Sequence, residues 1–249
     1  MSPVAIVTAS DSGIGQESAK ELAENGFDLG ITYHADEAGA QETLEAVRAM
    51  GRKGEVRRLD LTELPEAADV IDDLADSLGG LDVLVNNAGT GDPTGDFLEL
   101  SYEEWQQVID TNLSGAFLCA QRAARRMVDA GNGGRIVNIT SVHEHVPRPG
   151  FALYASAKAA LGMLTKSFAL ELGPDQIRVN AVAPGAIATE RNVEADELDP
   201  EIPLGRPGRP EEVANLVSWL VSDEARYVTG VSYLIDGGLA IQVIERPAV

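Results

Sequence analysis

Short apolar runs alternate with amphipathic segments along the whole chain. The first run, Val4 to Ala9, leads through a glycine-containing turn into a segment whose apolar positions recur with helical spacing. The runs that we interpret as strands are Val4 to Ala9, Asp28 to Tyr33, Glu55 to Leu59, Leu81 to Val85, Ile136 to Ile139, Ile177 to Val182 and Val231 to Ile235. The segments that we interpret as helices are Gln16 to Asn25, Asp36 to Gly51, Glu63 to Leu78, Tyr102 to Ala130, Phe151 to Leu172 and Glu211 to Ser222.

This alternation predicts an α/β fold in which parallel strands are joined by right-handed helical crossovers. Because the 249 residues contain no stretch of linker composition, we expect one doubly wound domain over residues 1–249, with a seven-stranded parallel sheet and helices on both faces. Residues 190–210 are rich in Glu, Asp and Pro, lack periodicity and are too many for an ordinary connection. We interpret this insertion as a substrate loop.

Composition narrows the class of protein. Hydrophobic residues make up 44% of the chain, which argues against disorder, and no apolar run approaches the roughly 20 residues that cross a bilayer. The start, MSPVAIVTAS, has neither the basic region nor the long apolar stretch of a secretory signal, so we expect a cytoplasmic protein without a membrane partner. Cys119 is the only cysteine, which excludes an internal disulfide and a multi-cysteine metal site and indicates a small core residue.

The charge balance is strongly acidic. Forty acidic residues against nineteen basic residues give a formal net charge of −21. We expect an acidic surface, which repels phosphate backbones, and therefore no nucleic-acid partner. The simplest interpretation is that the acidic residues lie on the solvated faces of helices. A second hypothesis is that the protein comes from a salt-rich environment, where salt would screen the repulsion between its acidic side chains.

The first turn is the first candidate for chemistry. A strand is followed by SDSGIG and then by a helix, where Gly13 and Gly15 permit close backbone approach. The N-terminus of the helix offers unpaired N–H groups and a positive dipole end to a pyrophosphate. Two spaced glycines alone are also typical of a plain tight turn.

The end of the second strand bears on the choice of cofactor. In dinucleotide folds an acidic residue at this position binds the ribose 2′-hydroxyl of NAD, whereas this chain has Thr32, Tyr33 and His34. The lack of a carboxylate there admits the 2′-phosphate of NADP, although no arginine at that position favours it. We therefore expect NADP or NAD, with NADP slightly favoured and dual use open.

The stretch from Ser141 to Lys158 carries the strongest candidate chemistry. Ser141 follows a buried β-branched strand, at the edge where open α/β sheets bind ligands. Tyr154 and Lys158 are four residues apart and share one face of a helix, so the ammonium lies beside the phenol and favours its phenolate form. Such a trio could move a proton to and from a carbonyl oxygen. A tyrosine and lysine four apart, taken alone, are more often a solvated surface pair.

Two amide-containing features accompany that stretch. Asn86-Asn87-Ala88-Gly89 follows the fourth strand, where small residues suit close approach of the backbone to a ligand, and a plain turn is the alternative. Asn112 lies among apolar residues within a predicted helix, where an amide side chain is unfavourable. We expect it to have a buried polar role.

With these motifs placed, the chain resembles the short-chain dehydrogenase/reductase family along essentially its whole length. Residues 8–15 are similar to the family's glycine turn, Thr-Gly-x-x-x-Gly-x-Gly, and residues 86–89 match its Asn-Asn-Ala-Gly stretch. Two positions depart from the pattern: Ala9 replaces the first glycine, which narrows the backbone freedom of the turn, and Ser12 replaces the Arg or Lys of many NADP-preferring members. The resemblance implies a Rossmann-type fold, hydride transfer with NAD(P)(H) and a homotetramer.

The resemblance also implies roles for individual residues. Tyr154 protonates the carbonyl oxygen, Ser141 donates a hydrogen bond to it, Lys158 lowers the tyrosine pKa and binds the nicotinamide ribose, and Asn112 holds a water on the proton path. Asp60 contacts the adenine, and Thr189 the carboxamide. The residues that it assigns to the cofactor are Thr8, Ser10, Ser12, Gly13, Ile14, Gly15, Tyr33, His34, Asp60, Leu61, Asn87, Ala88, Gly89, Tyr154, Lys158, Pro184, Gly185, Ile187 and Thr189.

The segment Ser141-Val142-His143-Glu144-His145 resembles family members that act on sugars, notably glucose 1-dehydrogenases, and diacetyl or acetoin reductases. His143 and Glu144 are therefore candidate substrate residues. If the backbone is extended there, His143 points to the same pocket as Ser141; a role in bonding the loop is the alternative. No metal is expected, because His-Glu-His lacks the spacing of a helical zinc motif.

The sequence thus favours an enzyme that acts on a small polar carbonyl or secondary alcohol, of the sugar, diketone or hydroxyketone class. A β-ketoacyl-thioester reductase is one alternative, which the polar pair of His143 and Glu144 disfavours. A non-catalytic dinucleotide-sensing module is another, which the intact Tyr154 and Lys158 disfavour.

Overall fold

A seven-stranded parallel sheet with helices on both faces forms the centre of the computed structural model, which describes residues 2–91, 95–190 and 202–241. The strands are β1 (Val4–Val7), β2 (Asp28–Tyr33), β3 (Gly54–Arg58), β4 (Val83–Asn86), β5 (Gly134–Ile139), β6 (Ile177–Pro184) and β7 (Ser232–Ile235). The helices are α1 (Gly13–Glu24), α2 (Glu37–Ala49), α3 (Asp69–Leu78), α4 (Tyr102–Ile109), α5 (Gly115–Ala130), α6 (Ala152–Leu172) and α7 (Pro210–Val221). The predicted doubly wound α/β fold is confirmed.

The apolar runs became strands because the sheet is buried on both of its faces. In β1, Ala5 and Val7 pack into a cluster with α1, α2 and α7, whereas Ile6 packs into a cluster with α3 and α5 on the opposite face. A parallel sheet covered on both sides requires such continuous apolar strands. Cys119 lies buried in the second cluster, as a small core residue should. None of the helices in the described ranges is both long and apolar enough to cross a bilayer.

The strands lie in the order β3-β2-β1-β4-β5-β6-β7, so the direction in which the chain adds new strands to the sheet reverses at β1. The chain first builds outward from β1 to β3 and then returns to the other side of β1 with β4. In open α/β sheets, ligands bind in the crevice that this reversal leaves at the carboxyl ends of the strands. The turns that follow β1 and β4 therefore border the binding crevice.

One long predicted helix is interrupted in the structure. Instead of a continuous helix from Tyr102 to Ala130, α4 ends at Ile109 and a single π-helical turn, Asp110–Ser114, connects it to α5. The prediction of an unbroken helix was wrong because Asn112, at the centre of this turn, bonds backbone groups of another segment. Single π-turns of this kind occur frequently at functional sites.

The start of α3 differs from its prediction, and the predicted insertion stays untested. The helix predicted from Glu63 begins only at Asp69, after a 3₁₀ turn (Glu66–Ala68), because Pro65 lacks an N–H group and disfavours helix at the residue before it. Most of the insertion predicted at residues 190–210, namely residues 191–201, lies outside the described residues. Its interpretation as a substrate loop stays a prediction.

Candidate active site

Helix α6 brings a phenol and an ammonium together next to the end of β5. Tyr154 and Lys158 lie one turn apart on α6, with Lys158 Nζ 5.6 Å from the centre of the Tyr154 ring. Lys158 is buried, and its Nζ donates a hydrogen bond of 3.0 Å to the carbonyl oxygen of Ile139 in β5. Ser141, two residues beyond Ile139, shares a hydrogen bond with the Tyr154 hydroxyl. The serine, tyrosine and lysine therefore meet as the sequence predicted.

Burial determines the charge states of this cluster. It raises the pKa of Tyr154, an effect that the hydrogen bond with Ser141 partly opposes. Burial also lowers the pKa of Lys158 to about 8. The sequence predicted that Lys158 would lower the pKa of Tyr154; in this structure the net shift is upward, because burial of the phenol is the largest effect.

The π-turn residue Asn112 is tied to the turn after β4. Its Nδ2 atom donates hydrogen bonds to the carbonyl oxygens of Val108 and Thr90, both at 3.0 Å, and its Oδ1 atom accepts one from the Thr90 N–H at 3.2 Å. The expected buried polar role is thereby confirmed. Gly89 packs between Asn112 and Lys158, since a Cβ atom there would lie 2.7 Å from Asn112 Oδ1 and 3.1 Å from Lys158 Nζ.

The turn after β1 has the shape of a phosphate cradle. Gly13 adopts φ +53°, and a Cβ atom on Gly15 would lie 2.1 Å from the carbonyl oxygen of Ala9. Ser12, the N-cap of α1, makes no side-chain capping hydrogen bond, so the helix presents its first N–H groups without a side chain over them. Ala9, which stands where the family has glycine, adopts φ +50° in the left-handed region. These features fit the pyrophosphate of a dinucleotide.

Side-chain hydrogen bonds join this turn to the turn after β4. Thr8 Oγ1 accepts hydrogen bonds of 2.9 Å from the N–H groups of both Asn87 and Ala88. Asn87 Nδ2 in turn donates to the carbonyl oxygens of Thr8 and Ala9, at 3.1 and 2.9 Å. The two sides of the crevice are thus held at a fixed separation.

A cavity of about 220 Å³ opens where these elements converge. It contains three of the four predicted catalytic residues and most of the predicted cofactor residues near the nicotinamide end. Its lining is Ile14, Asn87, Gly89, Thr90, Gly91, Ile139, Thr140, Ser141, Tyr154, Lys158, Pro184, Gly185, Ile187 and Thr189. The fourth predicted catalytic residue, Asn112, lies directly behind Gly89 and Thr90.

Comparison with known proteins decides the family. A family model described as "Enoyl-(Acyl carrier protein) reductase" matches residues 8–240. The chain belongs to the short-chain dehydrogenase/reductase family. It is therefore an NAD(P)-dependent oxidoreductase that interconverts carbonyl and alcohol groups, which confirms the predicted class of enzyme.

Its relatives within the short-chain dehydrogenases are similar over nearly their whole lengths. The "Uncharacterized oxidoreductase YohF" of Escherichia coli (strain K12) is 52% identical over 97% of each chain. "Glucose 1-dehydrogenase 2" of Bacillus subtilis (strain 168) is 39% identical over 95% of this chain and 94% of that protein. The solved structure titled acetoin dehydrogenase YohF from Salmonella typhimurium is 52% identical and superposes with a TM-score of 0.95 over the full length of both chains.

Two predicted cofactor residues of this dehydrogenase point their side chains into the fold. Ser10 is buried, with Oγ donating to the carbonyl oxygen of Val7 and accepting from the Thr32 N–H. Leu61 packs in the core against Gly115, where a Cβ atom would lie 2.8 Å from Leu61.

At the adenosine end, the dehydrogenase has a charged group that sequence reasoning missed. The parallel register pairs Tyr33 with Arg58, so Arg58 stands beside the end of β2. Arg58 Nη2 lies 2.6 Å from Asp60 Oδ2, and Arg58 Nε donates to the carbonyl oxygen of His34 at 3.2 Å. Hydrogen bonds from Thr62 are the main reason why the pKa of Asp60 falls to about 2. The pairing of β2 with β3 was the signal that could have identified Arg58.

The two residues predicted to contact substrate separate in the structure. The backbone after Ser141 forms a 3₁₀ turn (Val142–Glu144) and is not extended as predicted, because the Ser141 side chain accepts a hydrogen bond from the His143 N–H. The His143 ring nevertheless packs edge-to-face with Tyr154, with 6.3 Å between the ring centroids. Its Nδ1 atom lies 3.0 Å from the carbonyl oxygen of Val146, which requires a proton on Nδ1.

Glu144 points away from the cavity. Its carboxylate accepts a hydrogen bond of 2.8 Å from Ser232 Oγ and lies over Gly162 of α6, where a Cβ atom would be 2.2 Å from Glu144 Oε1. Its side chain therefore connects the loop to α6 and β7, which is the loop-bonding alternative. Within the described ranges, no group of three or more His, Cys, Asp or Glu side chains is arranged to hold a metal ion.

A larger hollow, of about 470 Å³, lies between α3 and α5 at the start of β4. This is the edge of the sheet opposite Ser141, Tyr154 and Lys158. Two of its three arginines pair with aspartates of α3: Arg122 with Asp69 and Asp72, and Arg126 with Asp72 and Asp76. We assign the active site to the smaller cavity because it alone of the two holds the tyrosine, the lysine and the glycine turns.

Proposed function

We propose that this enzyme transfers hydride between NADP(H) or NAD(H) and a small polar ketone or secondary alcohol, with vicinal diketones and hydroxyketones such as diacetyl and acetoin as its first candidate substrates. The observation that carries the proposal is the meeting of Ser141, Tyr154 and Lys158 at one cavity of about 220 Å³. The 52% identity with an acetoin dehydrogenase supports the substrate class.

The residues that would hold the dinucleotide follow the crevice. The N-terminus of α1 and the turn at Gly13 and Gly15 would bind the pyrophosphate through backbone N–H groups. Lys158 and Tyr154 would bind the nicotinamide ribose, and the segment from Pro184 to Thr189 the nicotinamide itself. When bound, the cofactor supplies the hydride to the carbonyl carbon, or accepts it from the alcohol carbon in the reverse direction.

In the reducing direction, Tyr154 gives its phenolic proton to the carbonyl oxygen as the hydride reaches the carbon. The Ser141 hydroxyl donates a hydrogen bond to the same oxygen, which stabilises the negative charge that develops there. Protonated Lys158 stabilises the phenolate that remains. The buried environment strengthens each of these electrostatic effects relative to water.

Asn112 is assigned to the return of the proton. One lone pair of its Oδ1 atom accepts from the Thr90 N–H, and the second is left to accept from a water next to Lys158. A water held there would carry a proton from solvent through Lys158 to the phenolate. In addition, the two hydrogen bonds between Asn112 and Thr90 fix the turn that forms one wall of the cavity.

His143 is the residue that we assign to substrate recognition. Because the Val146 carbonyl accepts from Nδ1–H, Nε2 is the ring nitrogen left to accept a hydrogen bond, on a ring that packs against Tyr154. A hydroxyl group one carbon from the reacting carbonyl could donate to it. A hydroxyketone such as acetoin has that hydroxyl group, whereas a β-ketoacyl thioester and a diketone do not, so His143 favours the hydroxyketone member of the proposed substrate class.

Three further properties complete the proposal: one domain over residues 1–249, a cytoplasmic location where the dinucleotide pool is available, and a homotetramer with an acidic surface.

The tetramer is supported by apolar side chains on two separate surfaces. Leu234 on the edge strand β7 and Tyr227 before it are exposed, as are Met163 and Leu170 on α6. Sedimentation equilibrium tests it: four chains per particle are expected, and a monomer would contradict it.

A substrate panel tested with each cofactor in turn tests the function. Diacetyl, acetoin, glucose and a β-ketoacyl thioester are compared by kcat/KM with NADPH, NADH and their oxidised forms. The proposal predicts the highest value with the diketone or hydroxyketone, at least about tenfold above the thioester. A preference for the thioester would identify an acyl-chain reductase instead.

A further inference from the structure

We propose that Arg58 binds the 2′-phosphate of the dinucleotide, so that preference for NADP(H) is determined from the end of β3 and not from β2. The inference rests on the proposed function, because it concerns the adenosine end of the same cofactor site. It also gives a structural basis to a cofactor choice for which the end of β2 provides neither a carboxylate nor an arginine.

The position of Arg58 follows from strand pairing. Dinucleotide folds read the ribose 2′ position at the carboxyl end of β2. Here Tyr33, the last residue of β2, is paired with Arg58, the last residue of β3, so the guanidinium lies at the same edge of the sheet. The hydrogen bond from Arg58 Nε to the His34 carbonyl oxygen holds the side chain against the residue that follows β2.

The guanidinium is held in place and still has donors for a ligand. Of its five N–H groups, Nε–H donates to His34 and one Nη2–H donates to Asp60, which leaves three. The Arg58 side chain is 51% exposed, against 10% for the Asp60 side chain that orients it. A fixed arginine fork suits the oxygens of a phosphate, because little side-chain freedom is lost on binding.

The carboxylates at this edge are already engaged, which argues against recognition of an unmodified ribose. An NAD-binding site needs a carboxylate that accepts from the 2′-hydroxyl. In the described part of the chain, Asp60 is bonded to Arg58, Thr62 and His34, and Glu37 to the Tyr33 hydroxyl. Arg58 also neutralises Asp60, so that carboxylate repels a 2′-phosphate less than an unpaired one would.

The adjacent arginine provides a matched control. Arg57 projects from the opposite face of β3, where Nη1 lies 3.1 Å from Glu55 Oε2 and Nη2 donates to Ser77 Oγ of α3. Arg57→Gln therefore removes the same charge from the same strand without changing the edge of the cofactor site. Both variants leave Tyr154, Ser141 and Lys158 untouched.

The test is equilibrium binding, followed by the fluorescence of bound NADPH and NADH, with the wild type, Arg58→Gln and Arg57→Gln. We expect the wild type to bind NADPH about tenfold more tightly than NADH, and Arg58→Gln to lose about 10- to 100-fold in affinity for NADPH with little change for NADH. Arg57→Gln should keep the wild-type ratio. Calorimetric titration with adenosine 2′,5′-bisphosphate and with 5′-AMP should give the same contrast for the adenosine half alone.

The outcomes separate this inference from the proposed function. If both dinucleotides bind and the wild-type ratio survives in Arg58→Gln, the inference is overturned while the function stands. If neither dinucleotide binds to the wild type, the function itself fails. Should Arg58→Gln lose both dinucleotides, its titration with adenosine 2′,5′-bisphosphate and 5′-AMP decides: loss of the preference for the bisphosphate supports the inference, and an equal loss of affinity for both ligands overturns it.

Discussion

Lys158 Nζ lies 5.6 Å from the centre of the Tyr154 ring, with its hydrogen bond directed to the backbone of β5. The ammonium is therefore hydrogen-bonded to the sheet and not to the Tyr154 hydroxyl. Burial lowers the pKa of the lysine to about 8 and raises the pKa of the tyrosine. A small increase in pH thus removes the charge of the lysine before the phenol ionises.

This order of titration predicts the pH dependence of reduction. The folded-state pKa of Lys158 lies below its ordinary value, so its positive charge is present below about pH 8 and is lost as pH rises through that value. Because that charge stabilises the phenolate, kcat for carbonyl reduction should fall through the same range. Lys158→Arg should lower kcat but abolish this decline, since arginine stays protonated. A decline near pH 8 that persists in Lys158→Arg would assign the titration to another group.

Gly89 offers a test of the contact between the turn after β4 and the catalytic groups. An alanine there would bring Cβ within 2.7 Å of Asn112 Oδ1 and 3.1 Å of Lys158 Nζ, and should displace both. We expect Gly89→Ala to lower kcat by about 100-fold, because small misplacements of catalytic groups have effects of that size. Gly91→Ala is the control, since its Cβ would meet no atom of the described residues within 4 Å. Equal activity of the two variants would show that the packing at Gly89 is unimportant.

Ala9 should be a source of instability. It adopts φ +50°, a region that is unfavourable by about 1–2 kcal/mol for a residue with a Cβ atom. Glycine at this position would remove that cost. Because glycine also has more conformational freedom in the unfolded chain, which offsets part of the effect, Ala9→Gly should raise the free energy of unfolding by about 1 kcal/mol. Ala46→Gly within α2 should lower it by about 0.5–1 kcal/mol. Urea unfolding measures both, and a loss of stability in Ala9→Gly would contradict the strain at this turn.

The net charge of −21 predicts that salt stabilises the fold. Raising ionic strength from about 0.1 to 1 M shortens the screening length from about 10 to about 3 Å, which weakens repulsion between acidic side chains. The same screening weakens the ion pairs between α3 and α5, but partly exposed pairs contribute little. The midpoint of thermal unfolding should therefore rise with KCl, as scanning calorimetry can measure. A steady fall would show that ion pairs outweigh repulsion.

Much of the fold and the clustering of Ser141, Tyr154 and Lys158 could be predicted from sequence because both depend on local patterns. Apolar runs with helical segments between them determine a parallel sheet, and a spacing of four residues determines that Tyr154 and Lys158 share a face of α6. Ser141 was predictable because it directly follows a buried strand. The pairing of neighbouring parallel strands then brings these three residues together at the carboxyl edge of the sheet.

The rest depended on contacts between segments distant in sequence. The π-turn at Asn112 arises from hydrogen bonds to Thr90, and no local pattern encodes that partner. Glu144 was assigned to the substrate, yet Ser232 binds it from 88 residues away. Arg58 acquired its position from the pairing of β3 with β2. The raised pKa of Tyr154 could not be predicted, because the spacing of residues along a helix does not reveal how deeply the phenol is buried.

The rate of hydride transfer by Tyr154→Phe tests the central claim most directly. The substitution removes only the phenolic O–H, so single-turnover oxidation of NADPH by diacetyl should slow by about 10²- to 10⁴-fold. The affinity for NADPH, measured by the fluorescence of the bound cofactor, should stay nearly unchanged. Near-native turnover in this variant would mean that another group supplies the proton and that the assigned roles of Tyr154, Ser141 and Lys158 are wrong.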